Sequence, residues 1–262
     1  MDGEGTASGC LMWMARSEMR RAASFGLVMG AIGLALLLMV PVSTKQGINY
    51  EVRVHRIPLW VKLIEFLDRD YHYRAIIHDV APPTHCQEER AMALFQWTRT
   101  QVRSEIPEGL PVIDDHIYSI IVRGYGTHDQ LATVFVTLCA YAGIPAAGYH
   151  LIGPDSHPAF IVAIAEIAGR WVVFDTWYGI VARNHRGELA SLDDLVREPA
   201  LLDEAAAGRL INGQPYRAYF RVLPKPAALD VERSHRQMPF HRVRYQWQRW
   251  WMPTDTSQEI AR

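Results

Sequence analysis

The sequence feature that most constrains this chain is an uncharged run near its beginning. Residues 25–42 read FGLVMGAIGLALLLMVPV, 18 residues without a charged side chain. A helix of that length is long enough to cross roughly 30 Å of hydrocarbon. We therefore predict a transmembrane anchor over residues 22–43, preceded by a segment of residues 1–21. No A-x-A cleavage pattern follows the run, which disfavours the alternative of a cleaved signal peptide.

The positive charges that flank the run predict its orientation. Arg16, Arg20 and Arg21 precede it, whereas only Lys45 follows it closely. The positive-inside rule then places the N-terminus in the cytoplasm and the rest of the chain on the other side of the membrane. The expected protein is single-pass with an extracytoplasmic domain. That domain is periplasmic if the source is a Gram-negative bacterium.

Two glycines inside the run favour close contact between helices. Gly26 and Gly30 are four residues apart, a spacing that lets two membrane helices approach each other closely. A dimer through this pair is therefore one hypothesis. The alternative is that no second helix packs at these glycines, since this spacing is common in membrane helices that contain glycine.

The rest of the chain divides by charge. The overall net charge is −1, so there is no basic excess of the kind that indicates a nucleic-acid partner, and none is expected. Residues 44–222 form the predicted domain and are net acidic, whereas residues 223–262 form a net basic tail. The three cysteines (Cys10, Cys86 and Cys139) contain no CxxC pair and give no zinc or disulfide signature.

The tail contains the segment RSHRQMPFHRVRYQWQRWWMP. If the chain is helical after Pro239, five apolar side chains share one side of the helix: Phe240, Val243, Trp247, Trp250 and Trp251. Arg242 and Arg249 then fall on the opposite side. A basic, indole-rich amphipathic helix is typical of proteins that bind a membrane interface. The simpler interpretation, which we favour from the sequence, is a terminal helix whose aromatic side chains pack on the domain and whose arginines lie in water.

Apolar periodicity predicts the elements of the domain, with a loop-rich stretch at 104–126 that is punctuated by proline and glycine. The predicted helices cover residues 59–70, 85–102 and 128–141. The predicted strands cover residues 147–152, 159–165 and 170–174. Helices first and hairpin-connected strands afterwards indicate the α+β class, with helices packed on a small antiparallel sheet.

Three motifs in the domain resemble a known family. GYGTHDQLATVFVTLCAYAGIPAAGYHL is followed by SHPAFIVAI and then by GRWVVFDTWYG. These motifs resemble the transglutaminase-like superfamily, which has a papain-like thiol-enzyme fold. In that family a cysteine starts a helix, an alanine follows four residues later and a Gly-Ile-Pro closes the helix. Here Ala132 and residues 143–145 match the alanine and the closure, while His157 and Asp175 match the family's histidine and aspartate.

The resemblance implies a Cys-His-Asp site, and this chain departs from it at the cysteine. Counting back four residues from Ala132 leads to His128. In the family the thiolate attacks, the histidine moves its proton and the carboxylate orients the histidine. Cys139 lies about 16 Å further along the same helix, at 1.5 Å per residue, and is interpreted as a core residue. Cys86 begins a different helix and is interpreted as structural.

His128, His157 and Asp175 leave three interpretations of the site open. In the first, the domain is a non-catalytic binding or scaffold module without a cofactor, and its groove binds a protein or glycan partner. In the second, the three residues bind a divalent metal ion and support hydrolysis, because two histidines and a carboxylate suit iron, zinc or manganese. In the third, His128 acts without a metal as a base or nucleophile in acyl transfer. We favour the first, and the resemblance implies a role in the cell envelope, in connection with surface polysaccharide.

Other residues close to these positions in the sequence are candidates for the lining of the groove. Thr127 and Gln130 have the spacing of a capping box, which puts His128 in the first turn of its helix. The helix dipole disfavours a protonated imidazole there. The groove candidates are Thr127, Asp129, Asp115, His116 and Trp177.

Overall fold

The computed structural model describes residues 23–48, 51–110, 115–153, 158–223 and 225–251. The chain divides into two compact units. The first contains the residues up to Lys45 together with Arg53–Glu65, and the second contains the remainder. The predicted cytoplasmic segment 1–21 and the predicted site residue His157 lie outside the described residues.

The uncharged run forms a helix and then enters a strand. Helix α1 covers residues 23–38, strand β1 covers Pro41–Ile48, and β2 (Glu51–Pro58) pairs with β1. A single helix to the end of the run is therefore wrong, since Pro41 has no N–H to continue it and disfavours helical backbone at the preceding residue. The predicted domain boundary after residue 43 falls inside β1. In the described part of the chain, no helix is both long and apolar enough to span a membrane.

Four helices follow β2: α2 (Leu59–Val80), α3 (Gln87–Gln101), α4 (Ile117–Arg123) and α5 (His128–Tyr141). The prediction for α5 is confirmed at both ends, and α2 runs ten residues beyond the predicted 59–70. Helix α4 lies in the stretch that was predicted as loop, so that prediction is wrong there. Its buried side chains are Ile117, Ile120 and Ile121, and Gly124 ends it in the left-handed conformation (φ 73°).

The three predicted strands form one antiparallel sheet. They are β3 (Ala146–Ile152), β4 (Pro158–Ile167) and β5 (Arg170–Phe174), in the spatial order β3-β4-β5. Ala168 (φ 51°) and Gly169 (φ 76°) connect β4 to β5, and two positive φ values in succession are the geometry of a tight hairpin turn. The predicted antiparallel sheet is confirmed.

The helices form the core on one face of this sheet. Helix α5 packs on β3 and β4, and α3 packs on α5. The rings of Phe95, Phe135 and Phe174 contact one another at centroid distances of 5.0 to 6.0 Å. Cys139 is fully buried in the same cluster, and burial raises the pKa of its thiol. Its predicted role as a core residue is confirmed.

The chain after β5 covers the opposite face of the sheet. Its elements are α6 (Leu192–Arg197), α7 (Ala200–Ala205), β6 (Leu210–Ile211), β7 (Gln214–Pro215) and a 3-10 turn, Tyr216–Phe220. Val162, Ile164 and Val173 of the sheet are buried in one cluster with Tyr216 and Phe220. The sheet is therefore a middle layer with apolar residues on both faces.

The tail ends the second unit with short elements and one long helix. A 3-10 turn (Pro226–Ala228) and α8 (Glu232–His235) precede α9 (Pro239–Trp251). The predicted helix after Pro239 is confirmed. Proline suits the first position of a helix because its missing N–H has no partner there in any case.

Candidate functional site

His128 is the first residue of α5, directly after the N-cap Thr127. The Gln130 side chain accepts a hydrogen bond from the Thr127 backbone N–H at 3.1 Å, as the capping-box spacing predicts. The next two turns of α5 are buried in the core. The local sequence therefore fixes the helix start, and with it the position of the His128 side chain.

The imidazole of His128 is bound to the end of the sheet. Its Nδ1 accepts a hydrogen bond from the backbone N–H of Ile161 at 3.2 Å. Ile161 lies on β4 beyond Ala163, which is the last residue that pairs with β5. The imidazole thus satisfies a strand N–H where β5 no longer reaches. Because Nδ1 accepts, the proton of the neutral ring is on Nε2.

The surroundings of His128 keep this ring neutral. Half-burial lowers its pKa, the nearby imidazole of His150 lowers it further, and Asp129 opposes the shift. A protonated ring would also direct an Nδ1–H against the Ile161 N–H. The ring therefore offers its surroundings a hydrogen-bond donor, Nε2–H. While Nδ1 accepts, Nε2 has no lone pair for a proton, a metal ion or a substrate carbon.

Asp175 is completely buried at the end of β5. Its Oδ1 accepts from the backbone N–H groups of Trp177 (3.0 Å) and Tyr178 (2.9 Å), and its Oδ2 accepts from the Tyr216 hydroxyl at 2.7 Å. Burial raises the pKa of this carboxyl to about 6, although the three hydrogen bonds and the positive charge of Arg99 act in the opposite direction. Both carboxylate oxygens are thus occupied in holding the turn that follows β5.

Trp177 connects the two predicted site residues. Its backbone N–H is held by Asp175, and its ring stands edge to face against the imidazole of His128, with the centroids 6.1 Å apart. The Asp175 turn therefore places an indole beside the first turn of α5. Trp177 is half-buried, so part of it is accessible to solvent beside His128.

Gln130 connects the other groove candidates. It is buried, and its Nε2 donates to Asp115 Oδ1 at 2.6 Å. The Thr127 hydroxyl donates to Asp129 Oδ1, so these two groove candidates are hydrogen-bonded to each other. His116 is the N-cap of α4 without a side-chain cap. The start of α5 is therefore stabilised by hydrogen bonds that involve Asp115, Thr127 and Asp129.

The structure brings together only part of the predicted triad. His128 and Trp177 are in contact, and Asp175 holds the backbone of Trp177. His157 lies outside the described residues, so the geometry of the complete set stays a prediction. Among the described residues, no group of three His, Cys, Asp or Glu side chains is placed to hold a metal ion.

Cys86 is the N-cap of α3 and is exposed. The neighbouring Gln87 donates to the Glu166 carbonyl and accepts from the Ala168 N–H, at the β4–β5 turn. Ile161 is five residues from Glu166 along β4, roughly 17 Å at 3.3 Å per residue. Cys86 therefore belongs to the opposite end of the sheet from His128.

Sequence reasoning missed two partners at the site. The Ile161 N–H is a backbone group on a strand, and nothing in its residue type indicates that it binds His128. Tyr216 is 41 residues from Asp175, and the sequence around it carries no motif. The only signal for such a partner is that a buried carboxylate needs several donors.

A cleft of about 800 Å³ lies elsewhere, beside the β4–β5 turn. Its charged side chains are mostly paired, for example Arg170 with Glu188 (3.1 Å) and Arg197 with Asp194 (3.2 Å). None of the predicted site residues lines it. These pairs are exposed, and such pairs contribute little to stability.

The comparisons with known proteins agree with the motifs of this site. The model of the transglutaminase-like superfamily matches residues 74–176, from α2 to the end of β5. This segment contains His128 and Asp175. No curated protein matches the chain.

Three solved structures are similar to part of the chain. A "putative protease" from Parabacteroides distasonis is 12% identical, with a TM-score of 0.34, and the match covers 51% of this chain and 35% of that one. A "putative cysteine protease" from Cytophaga hutchinsonii is 17% identical, with a TM-score of 0.36 and coverages of 50% and 46%. A transglutaminase ("TGase") is 11% identical, with a TM-score of 0.32 and coverages of 55% and 45%. The chain thus spans less than half the length of each.

Proposed function

We propose that this chain, whose residues 74–176 match the model of the transglutaminase-like superfamily, is a membrane-anchored, non-catalytic binding or scaffold protein of the cell envelope. In this proposal His128 stands where the family's enzymes have the nucleophilic cysteine. The domain keeps the fold and the groove, and binds a partner there without turning it over.

The hydrogen bond from the Ile161 N–H to His128 Nδ1 carries this proposal. A nucleophile or a general base needs a free lone pair directed at the substrate. The bond occupies Nδ1 and leaves Nε2 protonated, so the imidazole offers a donor instead. The lowered pKa of His128 agrees, because the ring stays neutral near pH 7.

The same geometry indicates the chemistry of the partner. The Nε2–H of His128 donates to an oxygen, such as a peptide carbonyl or a sugar hydroxyl. The half-buried Trp177 beside it offers an aromatic surface, on which apolar parts of a peptide or the C–H face of a sugar can pack. We therefore infer a peptide or glycan of the envelope as the occupant of the groove.

Membrane attachment rests on the first unit. The apolar side chains of α1 are exposed, including Phe25 (68%), Leu27 (76%) and Leu36 (67%). Such a surface is unfavourable in water and suits a bilayer. We propose that the segment of α1 makes a single membrane pass, with the domain outside the cytoplasm. No described atom lies within 4 Å of a Cβ built at Gly26 or Gly30, so this GxxxG pair is open to a second helix.

Metal analysis of the purified full chain tests the proposal against a metal-dependent hydrolase. We expect less than stoichiometric zinc, iron or manganese in the wild type after incubation with each metal and desalting. The matched variant is His128→Asn, because its amide oxygen replaces Nδ1 as the acceptor for Ile161 while the second ring nitrogen is lost. One equivalent of metal in the wild type that is absent from H128N would contradict the proposal.

Restoring the thiol tests whether the rest of the family's machinery remains. The variant His128→Cys is made together with Cys86→Ser, and labelling by iodoacetamide is located by mass spectrometry. Both positions lie at a helix start, but only position 128 has the family's histidine, His157, as its expected partner, so we expect labelling of the thiol at position 128 to be faster than that of Cys86 in the wild type. Adding His157→Ala should slow it. If labelling is no faster than at Cys86, position 128 does not correspond to the family's cysteine.

A further inference from the structure

Helix α9 contacts the protein through its polar side. Its His241 ring lies 5.1 Å from the ring of His235 on α8, and its Tyr245 ring lies under the guanidinium of Arg236 at 4.3 Å. Gln248 of α9 lines, together with His241 and Tyr245, a small cleft of about 130 Å³ that also includes residues of α8. These three residues of α9 are spaced at four and three positions, so they form one side of the helix.

The apolar side chains of α9 are exposed to solvent. Phe240 is 78% exposed, Val243 67%, Trp247 61% and Trp251 69%. Their spacings of three, four and four residues put them on one side of the helix, which we call the indole face. The rings of Trp247 and Trp251 contact each other, with centroids 5.9 Å apart. The interpretation of α9 as a helix with aromatic side chains packed on the domain is therefore wrong for these four.

The base of α9 is fixed to the second unit. The Tyr141 hydroxyl at the end of α5 lies 3.0 Å from the Gln237 carbonyl oxygen, two residues before α9. Helix α8 packs against α5 and β3. The Arg242 N–H donates to the Met238 carbonyl at 2.9 Å, which continues the helical hydrogen bonds back to this base. The N-terminal end of α9 is thus fixed to the second unit, and this contact positions the indole face.

The charges of α9 indicate which kind of partner surface can bind the indole face. The helix has no acidic residue. The exposed Arg244 borders its apolar side chains, whereas the exposed Arg242 lies on the opposite side of the helix. Arg244 lies about 60° from the centre of the face at 100° per residue, so its aliphatic stem can lie along apolar surface while its guanidinium reaches a charged group. Indoles next to arginines are the composition of helices that lie in the headgroup layer of a bilayer.

We propose that α9 is an interfacial helix that binds the surface of a bilayer with anionic headgroups. The indole face enters the boundary between headgroups and acyl chains, and Arg244 at its edge contacts lipid phosphates, while Arg242 adds positive charge to the helix. A second copy of the chain fits less well, because two α9 helices would bring together surfaces of like positive charge. The polar contacts with α8 remain in place, so the helix binds without leaving the domain.

An environment-sensitive dye on α9 tests this directly. The full chain carries Cys10→Ser and Cys86→Ser, and a single NBD dye is attached at Val243→Cys. Gln246→Cys, which is exposed and lies about 105° from the centre of the indole face, gives the matched control. Each protein is mixed with vesicles of phosphatidylcholine alone, or of phosphatidylcholine with phosphatidylglycerol.

We expect a blue shift and a several-fold rise of emission for the dye at position 243 with phosphatidylglycerol, much less at position 246, and little with phosphatidylcholine alone. The pair Arg242→Glu and Arg244→Glu should reduce the response several-fold, and raised salt should do the same. The charge-matched control is Arg186→Glu with Arg209→Glu, which removes the same charge from other exposed positions.

Three outcomes would overturn the proposal. One is an equal response at positions 243 and 246, and another is a response that does not depend on phosphatidylglycerol. The third is a blue-shifted dye at position 243 without lipid that returns to the red on dilution, since a second copy then covers the face. The assay is informative whether or not the first unit enters the vesicle, because the dye at position 246 reports the response that attachment through the first unit alone would give.

Discussion

Helices α5 and α9 have almost the same length, 14 and 13 residues, and opposite relations to the protein. Helix α5 is apolar along most of its length and is buried there, while the polar side chains at its start have hydrogen-bond partners. Helix α9 directs its polar side to the protein and its aromatic side outwards. An apolar pattern therefore shows that a face needs covering, but not that the protein itself covers it.

The difference separates residues that stabilise the fold from residues that are free for an external partner. At the start of α5 and the turn after β5, polar groups are buried and hydrogen-bonded, so their removal should destabilise the protein. On α9 the largest apolar side chains contribute little to folding. Stability measurements on the full chain in mild detergent therefore provide four predictions that test this comparison.

The largest effect is expected for Asp175→Ala. This change leaves the N–H groups of Trp177 and Tyr178 and the hydroxyl of Tyr216 without their acceptor in a buried place. At about 1–3 kcal/mol for each unsatisfied group, partly offset by the removal of a buried charge, the free energy of unfolding should fall by about 3 kcal/mol. Urea unfolding checks this, with the exposed Asp79→Ala as the control.

Asp175→Asn should be much less damaging than Asp175→Ala, because the amide oxygen still accepts from both N–H groups and the amide donates to the Tyr216 oxygen. If D175A and D175N lose the same stability, then charge rather than hydrogen bonding fixes the turn. If neither loses any, the buried carboxylate does not organise the site.

The raised pKa of Asp175 makes stability depend on pH. Its pKa in the folded protein is about 6, against 3.8 for the free group, so between these values the native state binds a proton that the unfolded state does not. The free energy of unfolding contributed by this group therefore falls as pH rises from about 4 to about 6. We expect the slope to disappear in D175N, measured as the difference from wild type at each pH. Equal slopes in the two proteins would contradict the raised pKa.

A smaller effect is expected for His128→Ala, which removes the acceptor of the Ile161 N–H. The expected loss is about 1–2 kcal/mol. His128→Asn should recover most of it, since its amide oxygen can take the position of Nδ1. Hydrogen exchange of the Ile161 amide provides a local readout, fast in H128A and slow in H128N. Slow exchange in H128A would mean that the imidazole is not the acceptor.

The sequence was sufficient where local signals determine the structure. Thr127 and Gln130 set the start of α5 through the capping box, which puts His128 in the first turn as the spacing predicted. The motif GRWVVFD likewise predicted that Asp175 directly follows a strand. These features depend on residues that are close together in the chain, so spacing alone predicts them.

The sequence was insufficient where a partner comes from a distant part of the chain. The tautomer of His128 depends on a backbone N–H that is 33 residues away. The second layer over the sheet consists of helices and strands of two to six residues, too short for a periodic pattern. Helix α4 was missed because glycine and proline near both of its ends suggested a loop. Pro41 was a signal that the uncharged run ends its helix early, and it was overlooked.

The smallest effects on folding are expected on the indole face. Trp247→Ser and Trp251→Ser each remove a large apolar side chain, which in a protein core costs about 3–5 kcal/mol for comparable truncations. Here both side chains are more than half exposed, so the free energy of unfolding in detergent should change by less than about 0.5 kcal/mol. Tyr245→Ser, on the side of α9 that contacts Arg236, is the matched control. It should destabilise the tail more than either tryptophan variant does, which limited proteolysis would show as faster cleavage after residue 238. If the tryptophan variants were the more damaging, the indole face would be covered by the protein itself, and α9 would resemble α5.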